Sequence, residues 1–129
     1  RFSVDALACW TRRNDPIAPY LLAGKRVGAF NDVGILARLT PANTEAVVGD
    51  LLRAADGSHC SETLEPPSLQ LACEKGLPEA QFVLGILQRD QRSETLKSYP
   101  DAYWLRRAAL SNYPAARRQL AILEHQREN

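Results

Sequence analysis

Methionine is absent from the 129 residues, cysteine occurs three times and histidine twice. Without an initiating Met, a chain that starts at Arg1 is expected to be trimmed, processed or cut from a longer one. The lack of a leader at its start therefore excludes nothing. His59 and His125 stand far apart, and no two of Cys9, Cys60 and Cys73 have C-x2-C spacing, so no metal site is expected. Long apolar runs are missing too. None approaches the roughly 18 residues that a membrane-spanning helix needs, so no transmembrane segment is expected. Nor is there an excess of one charge: 16 Lys and Arg face 15 Asp and Glu, a net charge of +1. That argues against a nucleic-acid binder held by bulk charge, which usually carries a large basic surplus.

The rest of the composition is ordinary for a globular chain. Hydrophobic residues make up 45% and charged ones 24%, which excludes wholesale disorder. The length suits one domain with a core that needs no metal or disulfide. The near-neutral total conceals a succession, however. Residues 1–40 carry a balance of +3, residues 41–100 of −4 and residues 101–129 of +2. A solvated mixed surface accounts for this, since exposed pairs contribute only about 0–1 kcal/mol each.

A repeat organises the chain. With Gly76 placed over Asn112, a shift of 36 residues, Pro78 falls on Pro114, Ala80 on Ala116, Leu84 on Leu120, Ile86 on Ile122 and Leu87 on Leu123. The same shift puts Val48-Gly49 under Leu84-Gly85, Leu51 under Leu87, Ala72-Cys73 under Ala108-Ala109 and Leu69 under Leu105. Self-similarity at such a period is the mark of a helical repeat.

Each unit reads as two helices. Pro78 suits a first helical turn, where its missing N–H has no partner to lose. Ala80, Val83, Leu84 and Leu87 then form one apolar stripe, and the small Ala80 and Gly85 permit a neighbouring helix to come close. The polar stretch from Asp90 to Ser98 predicts a loop. A second helix opens at Pro100 or Asp101, with Ala102, Leu105, Ala108 and Ala109 inward and Trp104 in a packing position. Asn112 then supplies the turn that Gly76 supplies one unit earlier, and the last helix runs from Pro114 towards Gln126. In residues 1–40, helices are expected over Val4 to Trp10 and Asp32 to Leu39. A short apolar stretch from Ile17 should end at Gly24, with a strand pair around Arg26 to Phe30 as an alternative.

These residues carry a family resemblance. Ala80-x3-Leu84-Gly85, then Asp101-Ala102-x-Trp104-Leu105-x2-Ala108-Ala109, then Ala116-x3-Leu120 resembles the Sel1-like repeats, relatives of the tetratricopeptide repeats. It extends over about residues 41–126 and is clearest from 67 to 124. The loop Asp90-Gln91-Arg92-Ser93-Glu94 departs from the family's Gly-rich turn, and Thr44 replaces a small Ala. The resemblance implies an all-α fold, a short right-handed solenoid of antiparallel helix pairs, with residues 1–40 as an N-terminal helical cap on repeats over 41–129. It implies a non-enzymatic adaptor or scaffold that binds another protein or peptide, with no small-molecule cofactor. It also implies a bacterial, exported or periplasmic setting, and an inhibitor or immunity protein against a secreted effector toxin as the second reading. If the chain is exported, Cys60 and Cys73 are the expected disulfide pair, bracketing a short loop and a helical turn or two; three buried thiols are the alternative.

Candidate contact residues follow from where the helices place them. Gln81, Gln88, Arg117 and Arg118 fall on the first helix of each pair, the row that lines the concave face of a solenoid. Tyr20 and Tyr99 fall in expected loops, where aromatics on a rigid scaffold often serve recognition. Trp104 is assigned to the core. No catalytic residue is assigned. Gly24-Lys25-Arg26-Val27-Gly28 lacks the order of a phosphate loop. Ser58-His59-Cys60-Ser61 reads as a polar loop rather than a nucleophile and its base, since such pairs meet through folding. Glu62 with Glu65 and Glu74 with Glu79 read as solvated charges, and His125 as a cation near a helix end.

Overall fold

A computed structural model describes residues 17–56 and 76–128. Every regular element in them is helical: α1 (Ile17–Val27), α2 (Asp32–Arg38), α3 (Thr44–Asp56), α4 (Pro78–Arg89), a 3-10 turn (Thr95–Ser98), α5 (Tyr103–Leu110) and α6 (Pro114–Glu128). The fold of the described residues is all-α.

The helix ends are written in local chemistry. Asn31 caps α2, its side chain accepting from Gly34 N at 2.7 Å. Before α3, Thr40 N donates to Asn43 Oδ1 at 2.8 Å while Asn43 N donates to Thr40 Oγ1 at 3.3 Å. This is a capping box with Asn in the acidic residue's place. Pro78 stands at the start of α4, as its fixed φ favours. Helix α4 then stops in a Schellman turn: Arg92 N bonds Leu87 O at 2.9 Å, Gln91 N bonds Gln88 O at 3.1 Å, and Gln91 takes φ 54°. Helix α5 stops the same way at Asn112, φ 63°, with Tyr113 N on Ala108 O. Asn112 is the turn residue that the repeat predicts. Gly76 is not its equivalent, because its backbone is not left-handed; a Cβ there would instead meet Ala55 O at 2.9 Å.

Three boundaries differ from expectation. Helix α1 continues through Gly24 to Val27 and turns at Gly28, φ 75°, so no strand forms around Arg26 to Phe30. Ala29 N closes that turn on Gly24 O at 2.9 Å, and the carbonyl of Ala29 occupies the place a Gly24 Cβ would need. The glycines of Gly24–Gly28 therefore shape a helix end. Helix α5 starts at Tyr103 rather than Pro100 or Asp101, because Ala102 takes φ 58°. Ala102 accordingly sits half-buried at the helix mouth rather than facing inward. The loop after α4 tightens into a 3-10 turn around fully buried Leu96. The expected helix over Val4 to Trp10 lies outside the described residues.

Helix α4 is the centre. Residues Ala80 to Leu87 are all buried, so this helix is enclosed on every side rather than along one stripe. One face packs with Tyr20, Ile35, Val47, Val48 and Leu51, beside Leu96 and Trp104. Phe82 and Ile86 turn the other way, onto Leu105, Ala108 and Ala116. Helix α1 lies along α3, α5 along α4, and α6 on α5. Gly85 is where α4 and α5 nearly touch: a Cβ there would lie 2.6 Å from Leu105 Cγ. Asp50, on α3, is buried between Arg26 Nε of α1 at 2.5 Å and Arg53 one turn along its own helix.

Candidate partner-binding groove

The C-terminal end of α4, the 3-10 turn, the start of α5 and one side of α6 enclose a groove of about 460 Å³. Its apolar lining comes from Leu96, Tyr99, Leu120 and Leu123, and its polar rim from Arg89, Lys97, Arg106, Asp101 and Glu124. Gln91 and Ala102, two of the three non-glycine residues with positive φ among the described residues, also line it. Backbone held in that region by its surroundings concentrates at recognition sites.

Each wall is anchored. Gln88 reaches from α4 and donates through Nε2 to Pro100 O at 2.5 Å and Tyr99 O at 3.2 Å. Behind them Tyr99, Tyr103 and Trp104 pack with ring centroids 4.9 to 5.5 Å apart, and Arg107 lies over the last two. The indole Nε1 of Trp104 is buried without a hydrogen-bond partner among the described residues. On the other side, Glu45 of α3 fastens the 3-10 turn. Its carboxylate accepts from Ser93 Oγ at 2.8 Å, Glu94 N at 2.9 Å and Thr95 Oγ1 at 2.6 Å. The hydroxyls of Thr95 and Ser93, with Glu94 N, hold its carboxyl below its ordinary value. Arg92 adds a bond from Nη2 to Leu39 O at 3.1 Å. Arg89 joins α4 to α6, donating to Gln119 Oε1 at 2.6 Å while its Nε meets Asp90 at 2.8 Å.

The six expected contact residues scatter. Gln88 and Tyr99 line the groove, though the Gln88 amide is committed to holding the chain that forms it. Arg117 and Arg118 are exposed on α6, outside its lining. Gln81 and Tyr20 are corrections. Gln81 is 2% exposed, because α4 is surrounded and leaves no open side for it. Tyr20 lies within α1 rather than a loop, is 7% exposed, and packs in the core. Burial, with Asp32 and Glu79 nearby, pushes its phenol up to about 12. Tyr113 is shifted the same way, by burial and by its hydrogen bond to Asp32.

Cys60, Cys73 and His59 lie outside the described residues, as do Glu62, Glu65 and Glu74. The described residues hold no cluster of metal-binding side chains, and none of their helices is long and apolar enough to cross a membrane. The residues that reading by repeat missed are Arg89, Lys97 and Arg106. They come together from three elements, and no sequence spacing joins them. No family model, curated protein or solved structure matches the chain.

Proposed function

We propose that the chain is a non-enzymatic interaction module, a short right-handed solenoid of antiparallel helix pairs of the Sel1-like repeat type, which holds a segment of another protein. The observation that carries this reading is the groove at the end of α4. Its floor is apolar, its rim is charged, and its walls are anchored from α3 by Glu45 and from α4 by Gln88. Preformed walls lower the ordering cost of binding, which favours a peptide-sized guest. The 36-residue register and the close approach at Gly85 support the repeat reading.

Affinity purification from the source organism tests the proposal. The wild-type chain should retain a principal partner that is lost with Tyr99→Ala/Arg106→Glu. A partner retained by that variant and lost with Arg117→Glu/Arg118→Glu would move the site to the outer face of α6. Retention by both variants would overturn a site on this half of the molecule.

A further inference from the structure

The outer side of α1 and its turn into α2 hold none of the residues that line the groove. We infer that this face binds an anionic lipid surface, with Phe30 and Val33 entering the interface and Lys25, Arg26 and Arg38 meeting the headgroups. Among the described residues seven large apolar side chains are exposed, and Leu21, Leu22, Phe30 and Val33 are four of them. Leu21 and Leu22 lie on the outer side of α1. A spacing of four residues continues that side into Lys25 and Arg26, both exposed. Past the turn at Gly28 stand Phe30, 74% exposed, and Val33, 71% exposed. Arg38 returns to the same corner from the end of α2, its Nη1 donating to Gly28 O.

The charge of this corner has one sign. Residues 17–40 carry Lys25, Arg26 and Arg38 against a single carboxylate, Asp32. Asp32 is committed, accepting from the Tyr113 hydroxyl beside α6 and from Val33 N at 3.0 Å. The neighbouring α3 adds Asp50, whose side chain is 5% exposed and held between Arg26 and a fourth cation, Arg53. No carboxylate among the described residues forms an ion pair with Lys25 or Arg38. Phe30 and Val33 project from the corner rather than line a cleft, so a protein partner would have to supply a pocket shaped to them. The boundary of a bilayer receives a projecting aromatic or aliphatic side chain without one, and its anionic headgroups attract the adjoining cations. A nucleic acid would use the cations but gain nothing from Leu21, Leu22 and Val33.

The test uses the full chain and co-sedimentation with vesicles of phosphatidylcholine, alone or with about 30% phosphatidylserine. Wild type should partition about ten times more strongly onto the anionic vesicles, and added salt should weaken that preference. A cation near such a surface contributes about five-fold, so Lys25→Gln/Arg38→Gln should weaken binding about 25-fold. Phe30→Ser/Val33→Ser should weaken it about ten-fold with the charge unchanged, while Arg117→Gln/Arg118→Gln should leave it. All six positions are exposed, and circular dichroism checks that each variant keeps its helix content. Lys25→Glu repeats the charge arm should the Arg38 substitution disturb the turn at Gly28. No binding to the anionic vesicles, or equal binding to both kinds, overturns the inference. So does binding that survives Phe30→Ser/Val33→Ser, or that is lost with Arg117→Gln/Arg118→Gln. A lipid-free dimer that Phe30→Ser/Val33→Ser turns into a monomer in sedimentation equilibrium would give this face to a second copy and overturn it as well.

Discussion

Gly85 and Gly49 occupy equivalent positions of the 36-residue repeat, yet their surroundings predict opposite responses to the same substitution. Adding a methyl group at Gly85 places a Cβ 2.6 Å from Leu105 Cγ, 2.7 Å from Leu105 Cδ2 and 2.9 Å from Leu105 N. Ordinary contact begins at 3.4 Å, so the backbone of α5 must retreat by about half an ångström even if the leucine rearranges. Leu105 is fully buried and has no solvent to swing into. Overpacking of this kind costs about 1–3 kcal/mol, here in the upper half because one obstacle is backbone. Replacing Gly by Ala inside a helix returns about 1 kcal/mol. Gly85→Ala should therefore lose about 1–2 kcal/mol. At Gly49, among the described residues and beyond the helix's own backbone, an added Cβ meets one atom within 4 Å, Arg53 Nη1 at 3.6 Å, the far end of a side chain and at ordinary contact distance. Gly49→Ala should gain about 0.5–1 kcal/mol.

Urea unfolding followed by circular dichroism and tryptophan fluorescence measures both, with unchanged m-values as the check on two-state behaviour. For a chain of this size the two variants should melt roughly 5–10 °C apart. If Gly85→Ala is as stabilising as Gly49→Ala, then α4 and α5 do not approach as closely as described. The packing account of the repeat's small residues would fall with it.

Four further outcomes follow from other contacts. Asp50→Ala should destabilise by about 2 kcal/mol in urea, less than a fully buried pair because Arg26 and Arg53 both reach water; a neutral result would mean the α1–α3 bridge contributes nothing. The Glu45 carboxyl lies below its ordinary value when folded. Its contribution is therefore full above about pH 4.5 and is lost as pH falls through the lowered value. Wild type should lose stability more steeply than Glu45→Gln on acidification over that range, and parallel curves would refute the strap. Gln91→Gly should raise stability by about 0.5–1 kcal/mol by relieving left-handed backbone, whereas Asn112→Gly should change it less, since Asn already tolerates that conformation. Tyr113→Phe should remove one of the tyrosine ionisations raised above the ordinary value in ultraviolet titration; an unchanged count of raised ionisations would refute the Tyr113 assignment.

Much of the fold was legible because the repeat is written in local signals. Pro78, Asn112 and Pro114 mark helix ends by chemistry that acts over three or four residues, and each stands where expected. Gly85 and Trp104 were legible by size, one too small and one too large for a random place in a packed stack. The misses are of another kind. Gln81 sits on what periodicity makes the polar side of an amphipathic helix, and periodicity describes one helix against one neighbour. Helix α4 has neighbours all round it, so a polar residue on any of its faces is buried. Tyr20 falls in an expected loop because the short apolar stretch from Ile17 is read as ending at Gly24 and contains a proline, Pro19. Pro19 stands in the first turn of α1, where a proline costs little, and Gly24 is required by the turn that follows.

The enclosure of α4 also decides where recognition can occur. A solenoid exposes the first helix of each pair as a continuous inner row, and Gln81 and Gln88 are expected there on that basis. Here α2 and α3 pack against the same helix that α5 covers from the other side. Only the last turn, Gln88 and Arg89, emerges into a groove. On the proposed reading, recognition would fall to the connection that follows α4 rather than to a helix row. That connection lacks a Gly-rich turn but is held by Glu45 from one side and Gln88 from the other. Its polar sequence, Asp90 to Ser98, reads as featureless because its anchors lie some 50 residues away in α3. With those anchors it is a rigid wall carrying Lys97 and Tyr99. Cutting the α3 anchor with Glu45→Ala should thus weaken guest binding without touching a groove residue, and weakening without loss of helix content would distinguish a positioning role from general unfolding.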